Sequence, residues 1–303
     1  MTQATPYYTV DEAVAQELIE RAAGRPVTLL VALEGYLDAG RVGELVSDTA
    51  IVGAERLVTF NADEFIDYRS RRPRITFAES RFTDYEAPEI AVDVAADALG
   101  APLLVLHGLE PDYRWERFVT AVCAIIERFG VALTVAIHGV PAAVPHTRPL
   151  ITTISATRDD LIPNEPSWLD TLVLPAGVIN TLQVRLGESG HDAMGIAVHV
   201  PHYLAQSAYQ PAAIAALDKL DQAAGVHVDP SGLQKSAVEA LDELRERLQE
   251  SPDIAKVVTT LEGQYDTIQS GRAQAHALTE RPGQAGEDLA AELERFLADQ
   301  GDE

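Results

Sequence analysis

Cysteine, basic charge and long apolar runs are what this 303-residue chain has least of. Its one cysteine, Cys123, excludes an intrachain disulfide, and its place inside the apolar run Phe118–Ile126 marks it as a small buried hydrophobe. No Cys/His set has the spacing of a zinc site, so neither a metal nor another cofactor is expected. Lys and Arg number 23 against 47 Asp and Glu, a formal charge of −24. Such a surface repels phosphate backbones and anionic membranes, which argues against nucleic acid or membrane partners and for solubility. No stretch reaches the roughly 18 apolar residues of a spanning helix. The opening residues MTQATPYYTVDEA have neither a basic n-region nor an apolar h-region, so a cytoplasmic protein is expected. Hydrophobic residues still make up 47% of the chain, ample for one sizeable core.

Four short runs rich in Val, Ile and Leu read as buried strands: Val27–Leu33, Leu57–Phe60, Leu103–His107 and Ala132–His138. Between the last two, Trp115, Phe118, Val119, Val122 and Ile126 recur at helical spacing across Arg114–Phe129, with Gly130 as a stop. Strand, helix, strand in that order predicts a right-handed parallel unit. A similar unit joins the first two strands through a helix over Arg41–Gly53. Leu172–Leu186 reads as another helix, followed by a strand over Gly195–Val200. Arg74–Phe77, Arg81–Tyr85 and Glu89–Val94 read as extended pieces of a hairpin or edge ribbon. Ile151–Thr157 has strand propensity but finds no place between its two Pro-rich loops. The expected architecture is α/β, a three-layer sandwich with a mostly parallel sheet.

After Val228 the texture changes. Leu233, Ala237, Leu241, Leu244 and Leu248 share one face of Ser231–Glu250, and Ser251-Pro252 then supplies an N-cap and an N1 proline. Ile254, Val257, Val258, Leu261, Tyr265 and Ile268 continue as a second helix. The pair predicts a helical hairpin laid on the sheet domain or on a neighbouring subunit. Gly271–Gly286 reads as a loose linker and Glu287–Leu297 as a weak helix. The expected division is an α/β domain over 1–228 and an acidic helical region over 229–303.

In an open α/β sheet, ligands bind past the carboxyl ends of the strands. Two segments carry polar groups to that edge. One is Leu103–Glu116, LLVLHGLEPDYRWE, with His107, Glu110, Asp112, Arg114 and Trp115; the other runs from Val27–Leu33 into Glu34-Gly35-Tyr36-Leu37-Asp38-Ala39-Gly40. Gly35 and Gly40 permit tight turning and close backbone approach. The second segment is neither a Walker loop nor a GxGxxG fingerprint. Asp38 suits a cap on the following helix, with a catalytic role as the alternative.

His107 and His138 each end a strand and precede a glycine, so parallel neighbours would bring both to one edge. With Glu110 and Asp112 they are the candidate catalytic residues for acid–base chemistry, set beside the plainer reading of hydrogen-bonded structural histidines. Arg69, Arg71, Arg72 and Arg74 form the one basic cluster. Their guanidinium forks would hold a phosphate or carboxylate, or else pair with Asp63, Glu64, Asp67 or a neighbouring subunit. His146 and Arg148 stand in the Pro-braced loop Val140–Pro149. The candidate ligand-binding set is therefore Gly35, Asp38, Gly40, Arg69, Arg72, Arg114, His146 and Arg148. No HExxH, GxSxG or nucleophile paired to a histidine at a recognised spacing is present.

At these residues the chain resembles the PAC2 family, the proteasome-assembly-chaperone-2-like proteins, in its bacterial form. The likeness is carried by Gly35–Gly40, by Asp63–Arg69 with Arg72-Pro73, and by Leu106-His107-Gly108-Leu109-Glu110-Pro111-Asp112-Tyr113-Arg114-Trp115. His138-Gly139-Val140-Pro141 and Pro145–Pro149 extend it, and it covers roughly Val27 to Gln269. The resemblance implies a phosphorylase/hydrolase-like α/β domain with a helical C-terminal appendage. It also implies kinship with non-catalytic chaperones of 20S proteasome α-ring assembly, several of which end in a hydrophobic-Tyr-X tail; the last residues here, Asp299–Glu303, do not match that tail.

Two functions follow. The preferred one is a non-enzymatic homo-oligomer, with a trimer expected, acting as an assembly chaperone or scaffold with proteasome subunits as a candidate partner. The alternative is a hydrolase or phosphorylase-type enzyme acting on a small anionic substrate. In it, His107 or His138 serves as base, Glu110 or Asp112 orients it, and Arg69, Arg72 or Arg148 holds the anion.

Overall fold

The computed structural model describes residues 7–35, 38–162, 171–250 and 252–279. The chain divides into two compact units, Met1–Ala143 with Pro149–Arg247, and Val144–Arg148 with Leu248–Glu303. In chain order the elements begin β1 (Tyr8–Val10), α1 (Glu12–Ala22), β2 (Val27–Glu34), α2 (Val42–Ala50), β3 (Glu55–Phe60), β4 (Thr76–Ala78) and β5 (Arg81–Thr83). They continue with β6 (Ile90–Ala96), β7 (Pro102–Leu109), α3 (Trp115–Phe129), β8 (Val131–Ala142) and β9 (Thr152–Ala156). The last are α4 (Val178–Glu188), β10 (Ala193–Pro201), α5 (Gln210–Ala224), α6 (Ser231–Glu250) and α7 (Pro252–Thr279).

Eight strands form one sheet in the order β1-β3-β6-β7-β2-β8-β10-β9. The pairs β7–β2, β2–β8 and β8–β10 are parallel. The other four, β1–β3, β3–β6, β6–β7 and β10–β9, are antiparallel. The sheet is thus mixed rather than mostly parallel. The difference comes chiefly from β6, which the sequence pattern suggests for a peripheral ribbon. Instead it lies between β3 and β7, and only its last residue is exposed. It returns to β7 through a tight turn in which Asp97 Oδ1 accepts from the Leu99 and Ala101 amides (3.0 and 2.7 Å). So short a connection can only join antiparallel neighbours. β3 runs the same way as β2 but is separated from it by β6 and β7, so β2–α2–β3 does not make adjoining strands. Ile151–Thr157 finds its place as the edge strand β9.

Side-chain alternation along the strands feeds two cores. Leu29, Val31 and Leu33 join Leu18 of α1, Phe118 and Val122 of α3 and Leu182 of α4. Leu30 joins Val105, Val135 and Ile137, with Val42 and Val46 of α2 and Ala212, Ala216 and Leu217 of α5. Helices therefore flank both faces. The first core centres on Phe60, Phe65 and Phe118, whose ring centroids lie 4.9–6.1 Å apart. Cys123 lies half-buried against this core, and burial raises its thiol pKa.

Helix boundaries follow local chemistry. Asp11 Oδ1 accepts from the Ala13 and Val14 amides and starts α1. Gly130 ends α3 with φ +60°. α4 starts at Val178 rather than Leu172, because Pro175 disfavours helix at the residue before it. β4 and β5 pair only with each other, Phe77 opposite Phe82, as a separate exposed arm.

Both C-terminal helices, α6 and α7, stand where their periodicity predicts them. α7 extends to Thr279, so Gly271–Thr279 is helical rather than linker. In the smaller unit Arg148 holds α7: its Nε and Nη2 donate to Asp266 (2.9 and 2.8 Å) and its Nη1 to Glu262 (3.2 Å). Glu287–Leu297 lies outside the described residues. None of the described helices is long and apolar enough to cross a membrane.

Replacing Phe118 by Ala leaves a cavity among three rings and is expected to cost about 3–5 kcal/mol of unfolding free energy. Phe82→Ala on the exposed arm should change it by less than about 0.5 kcal/mol. Urea unfolding of the two variants checks both values.

Candidate functional site

β7, β2 and β8 are parallel neighbours, so His107, Glu34 and His138 all reach the same edge of the sheet. They do not face the same way. His107 continues the Val105 side of β7 and His138 the Ala136 side of β8, and those two positions belong to different cores. The expected single crevice is therefore two separate groupings, one on each face.

On the α4 face stands Glu110, just past β7 and buried. Its Oε1 accepts from the Val178 amide at 2.7 Å. Val178 is the first residue of α4, whose preceding residue, Gly177, has no side chain to cap it. A carboxylate 68 positions away takes over that function, and its charge favours the positive end of the helix. Asn180 Oδ1 accepts from the Gly177 amide (3.0 Å) and completes the cap.

Gly35 is glycine because of this carboxylate: a Cβ there would sit 2.3 Å from Glu110 Oε2. Glu110, Gly35, His138, Leu33, Gly177, Ile179 and Asn180 enclose a cavity of about 20 Å³, room for one water. His138, 8% exposed, also lines it, and its Nδ1 has no hydrogen-bond partner among the described residues. Burial lowers its pKa to about 4, so the ring is neutral near pH 7.

On the α2 face, an ionised Asp93 only accepts, so His107 Nε2–H donates to its Oδ2 (3.0 Å). Arg56 pairs with the other oxygen of Asp93 and, through Nη2, with Glu89 (2.7 Å). Burial alone would raise the Asp93 pKa, but His107 and Arg56 together hold it below the ordinary value. Burial, then the nearby carboxylates of Glu44 and Asp48, raises that of Glu34.

Asp38 is a cap. Its Oδ1 accepts from the Gly43 amide (2.7 Å) and the Gly139 amide (3.2 Å), and Oδ2 from the Glu44 amide (3.3 Å). It ties the start of α2 to the end of β8. Burial raises its pKa against the pull of those three amides. Gly40, at φ +71°, gives its amide to the Ala205 carbonyl and accepts from the Tyr209 amide.

Asp112 accepts from the Asp67 amide (2.7 Å) and pairs with Arg71 (3.2 Å), whose Nη1 also reaches the Glu34 carbonyl (3.3 Å). Arg114 pairs with Glu64. Arg69 and Arg72 are exposed and have no ion-pair partner among the described residues. The arginine that does reach the strand ends is Arg71, which the candidate ligand set omits. Arg148 and His146 belong to the smaller unit, where Arg148 is held by α7. Asp93 and Arg56 were also missing from the candidates. Asp93 is the one charged residue in the apolar run Ile90–Ala96, a signal that could have marked it. Among the described residues no group of three or more His, Cys, Asp or Glu could hold a metal ion.

A mixed α/β sheet flanked by helices, with acidic strand ends turned inward as helix caps and loop anchors, defines the class of this protein. The PAC2 family model matches residues 32–248, and the chain belongs to the PAC2 family. It is similar to a Mycobacterium tuberculosis protein of unknown function at 36% identity and TM-score 0.84, covering 90% of this chain and 93% of that one. A Corynebacterium glutamicum protein of unknown function matches at 34% identity and TM-score 0.75, covering 81% and 92%. A proteasome-assembly chaperone homologue from M. tuberculosis shares the fold at 22% identity and TM-score 0.67, covering 77% and 99%. No curated protein matches significantly.

Gly35→Ala is expected to displace Glu110 and lower stability by about 1–3 kcal/mol in thermal or urea unfolding. His138 makes a second prediction. Its folded pKa of about 4 lies below the ordinary 6.5, so the unfolded chain binds the extra proton. Its stabilising effect is complete above pH 6.5 and is lost as pH falls through 4, about 3 kcal/mol in all. Urea titrations over that range should show the loss in the wild type, and His138→Gln should flatten it.

Proposed function

We propose that this PAC2 family protein is a non-enzymatic, homo-oligomeric assembly chaperone or scaffold for a protein complex, with proteasome subunits as the first partner to test. One observation carries this reading. Glu110, Asp112 and Asp38, the polar groups a substrate would need at the strand ends, are engaged in capping α4, anchoring the loop at Asp67 and capping α2. The space left beside Glu110 is about 20 Å³, far below the several hundred Å³ of an ordinary small-molecule site. The shared fold with a proteasome-assembly chaperone homologue supports the same direction. The three-layer phosphorylase/hydrolase-like arrangement fits helices on both faces of the sheet.

The hydrolase alternative has less support. His107 and His138 face opposite sides of the sheet, and Arg69 has no ion-pair partner among the described residues. Light scattering of the purified protein, with pull-down against proteasome α-subunits, tests the proposal: a multimer that retains a protein partner is expected. A strict monomer that retains none contradicts it. So does a thermal-shift screen of nucleosides, phosphates and amino-acid derivatives in which a ligand raises the Tm and is turned over.

A further inference from the structure

We propose that the hollow between the loop leading into α5 and the middle of α6 binds a small neutral molecule, a ring carrying one hydrogen-bond acceptor. The site is separate from the strand-end groupings, and binding there without turnover leaves the chaperone reading untouched. The hollow has a volume of about 180 Å³. An apolar cavity of roughly 150 Å³ holds benzene, so there is room for a ring with one short substituent. Leu204, Ala208 and Pro211 wall it on one side, and Ala240, Leu241 and Leu244 of α6 on the other. Leu204 and Leu241 also pack against the second core, so these walls extend it.

Tyr209 is the polar group that points to a ligand. It lines the hollow and is 6% exposed. Its hydroxyl has no hydrogen-bond partner among the described residues. Burial, with Tyr203 nearby, pushes its pKa up to about 12, so the phenol keeps its proton at neutral pH and is a donor. The ring alone would build the wall, so the hydroxyl serves whatever fills the hollow. Gly40 fixes this wall from behind: its amide donates to the Ala205 carbonyl (2.8 Å), and its carbonyl accepts from the Tyr209 amide (2.9 Å). Ser207 is the other polar group lining the space. Among the described residues no charged side chain lines it, and the chain as a whole carries −24. Both facts disfavour an anion.

Fluorine NMR titration of the full chain with para-fluoroacetophenone tests this. Two other probes bracket it: para-fluorobenzoate, which is anionic, and para-fluoro-α-methylstyrene, which has a methylene in place of the carbonyl oxygen. Tyr209→Phe removes the hydroxyl alone, and Ala240→Phe sets a ring in the hollow; circular dichroism and Tm verify that each is folded. The expected result is saturable binding of the ketone and none of the benzoate. In Tyr209→Phe the ketone should bind about three- to tenfold more weakly, with the styrene unchanged and the Tm that of the wild type. In Ala240→Phe ketone binding should be lost. Because Tyr209→Phe deletes an atom that bonds to nothing in the protein, it decides the matter even where Ala240→Phe fails to fold. A ketone that does not bind the wild type, or that binds folded Tyr209→Phe as tightly as the wild type, overturns the proposal. If the ketone does not bind but Ala240→Phe lowers retention of proteasome α-subunits, the hollow seats a partner's side chain and the proposal is again wrong.

Discussion

A single buried carboxylate, Glu110, holds the carboxyl edge of the sheet together, and the groups around it are arranged by its demands. It leaves the end of β7, lies against Gly35 past the end of β2, and accepts the first amide of α4. Three elements far apart in sequence meet on one functional group. A hydrogen bond to a charged acceptor contributes about 1.5–3 kcal/mol, and more is lost if the amide is left buried with no partner. Gly35 and Gly177 have no side chain because the carboxylate needs that space: a Cβ at either would come within 2.3 or 3.1 Å of its oxygens. The neutrality of His138 belongs to the same small, buried cavity.

The opposite face solves its own problem of buried charge. Asp93 interrupts an apolar strand in the middle of the sheet and is tolerated because His107 and Arg56 both reach it. A strand-end histidine beside a carboxylate looks like half of an acid–base pair, yet here the imidazole satisfies a buried anion. Asp38 repeats the principle at α2, where three amides converge on one side chain. Polar residues gather at this edge because parallel strands and helix starts meet there, leaving backbone amides that must be satisfied. A catalytic site and a structural junction draw on the same residue types at the same place in the fold.

Much of this was legible in the residues. The apolar runs of β2, β7 and β8, the helix α3 with its Gly130 stop, and the family likeness at Gly35–Gly40, Leu106–Trp115 and His138–Pro141 all stand where the pattern indicates. What stayed hidden depends on long-range pairing. The segment around Glu89–Val94 is too short to announce itself as an inner strand, and only its partners β3 and β7 reveal it. The face on which a strand-end residue lies depends on counting back to the core along each strand. His107 and His138 look equivalent by motif, and they part only when Val105 and Ala136 are assigned to different cores. Arg71 rather than Arg69 or Arg72 reaches Asp112 because of how the loop folds, which no spacing encodes.

The joint at Glu110 is most directly measured by hydrogen exchange at the Val178 amide in the wild type and in Glu110→Ala. If the carboxylate caps α4, that amide is strongly protected in the wild type, and its protection falls at least tenfold in the variant while amides at the centre of β2 keep theirs. An unprotected Val178 amide in the wild type, or unchanged protection without the carboxylate, would contradict the account.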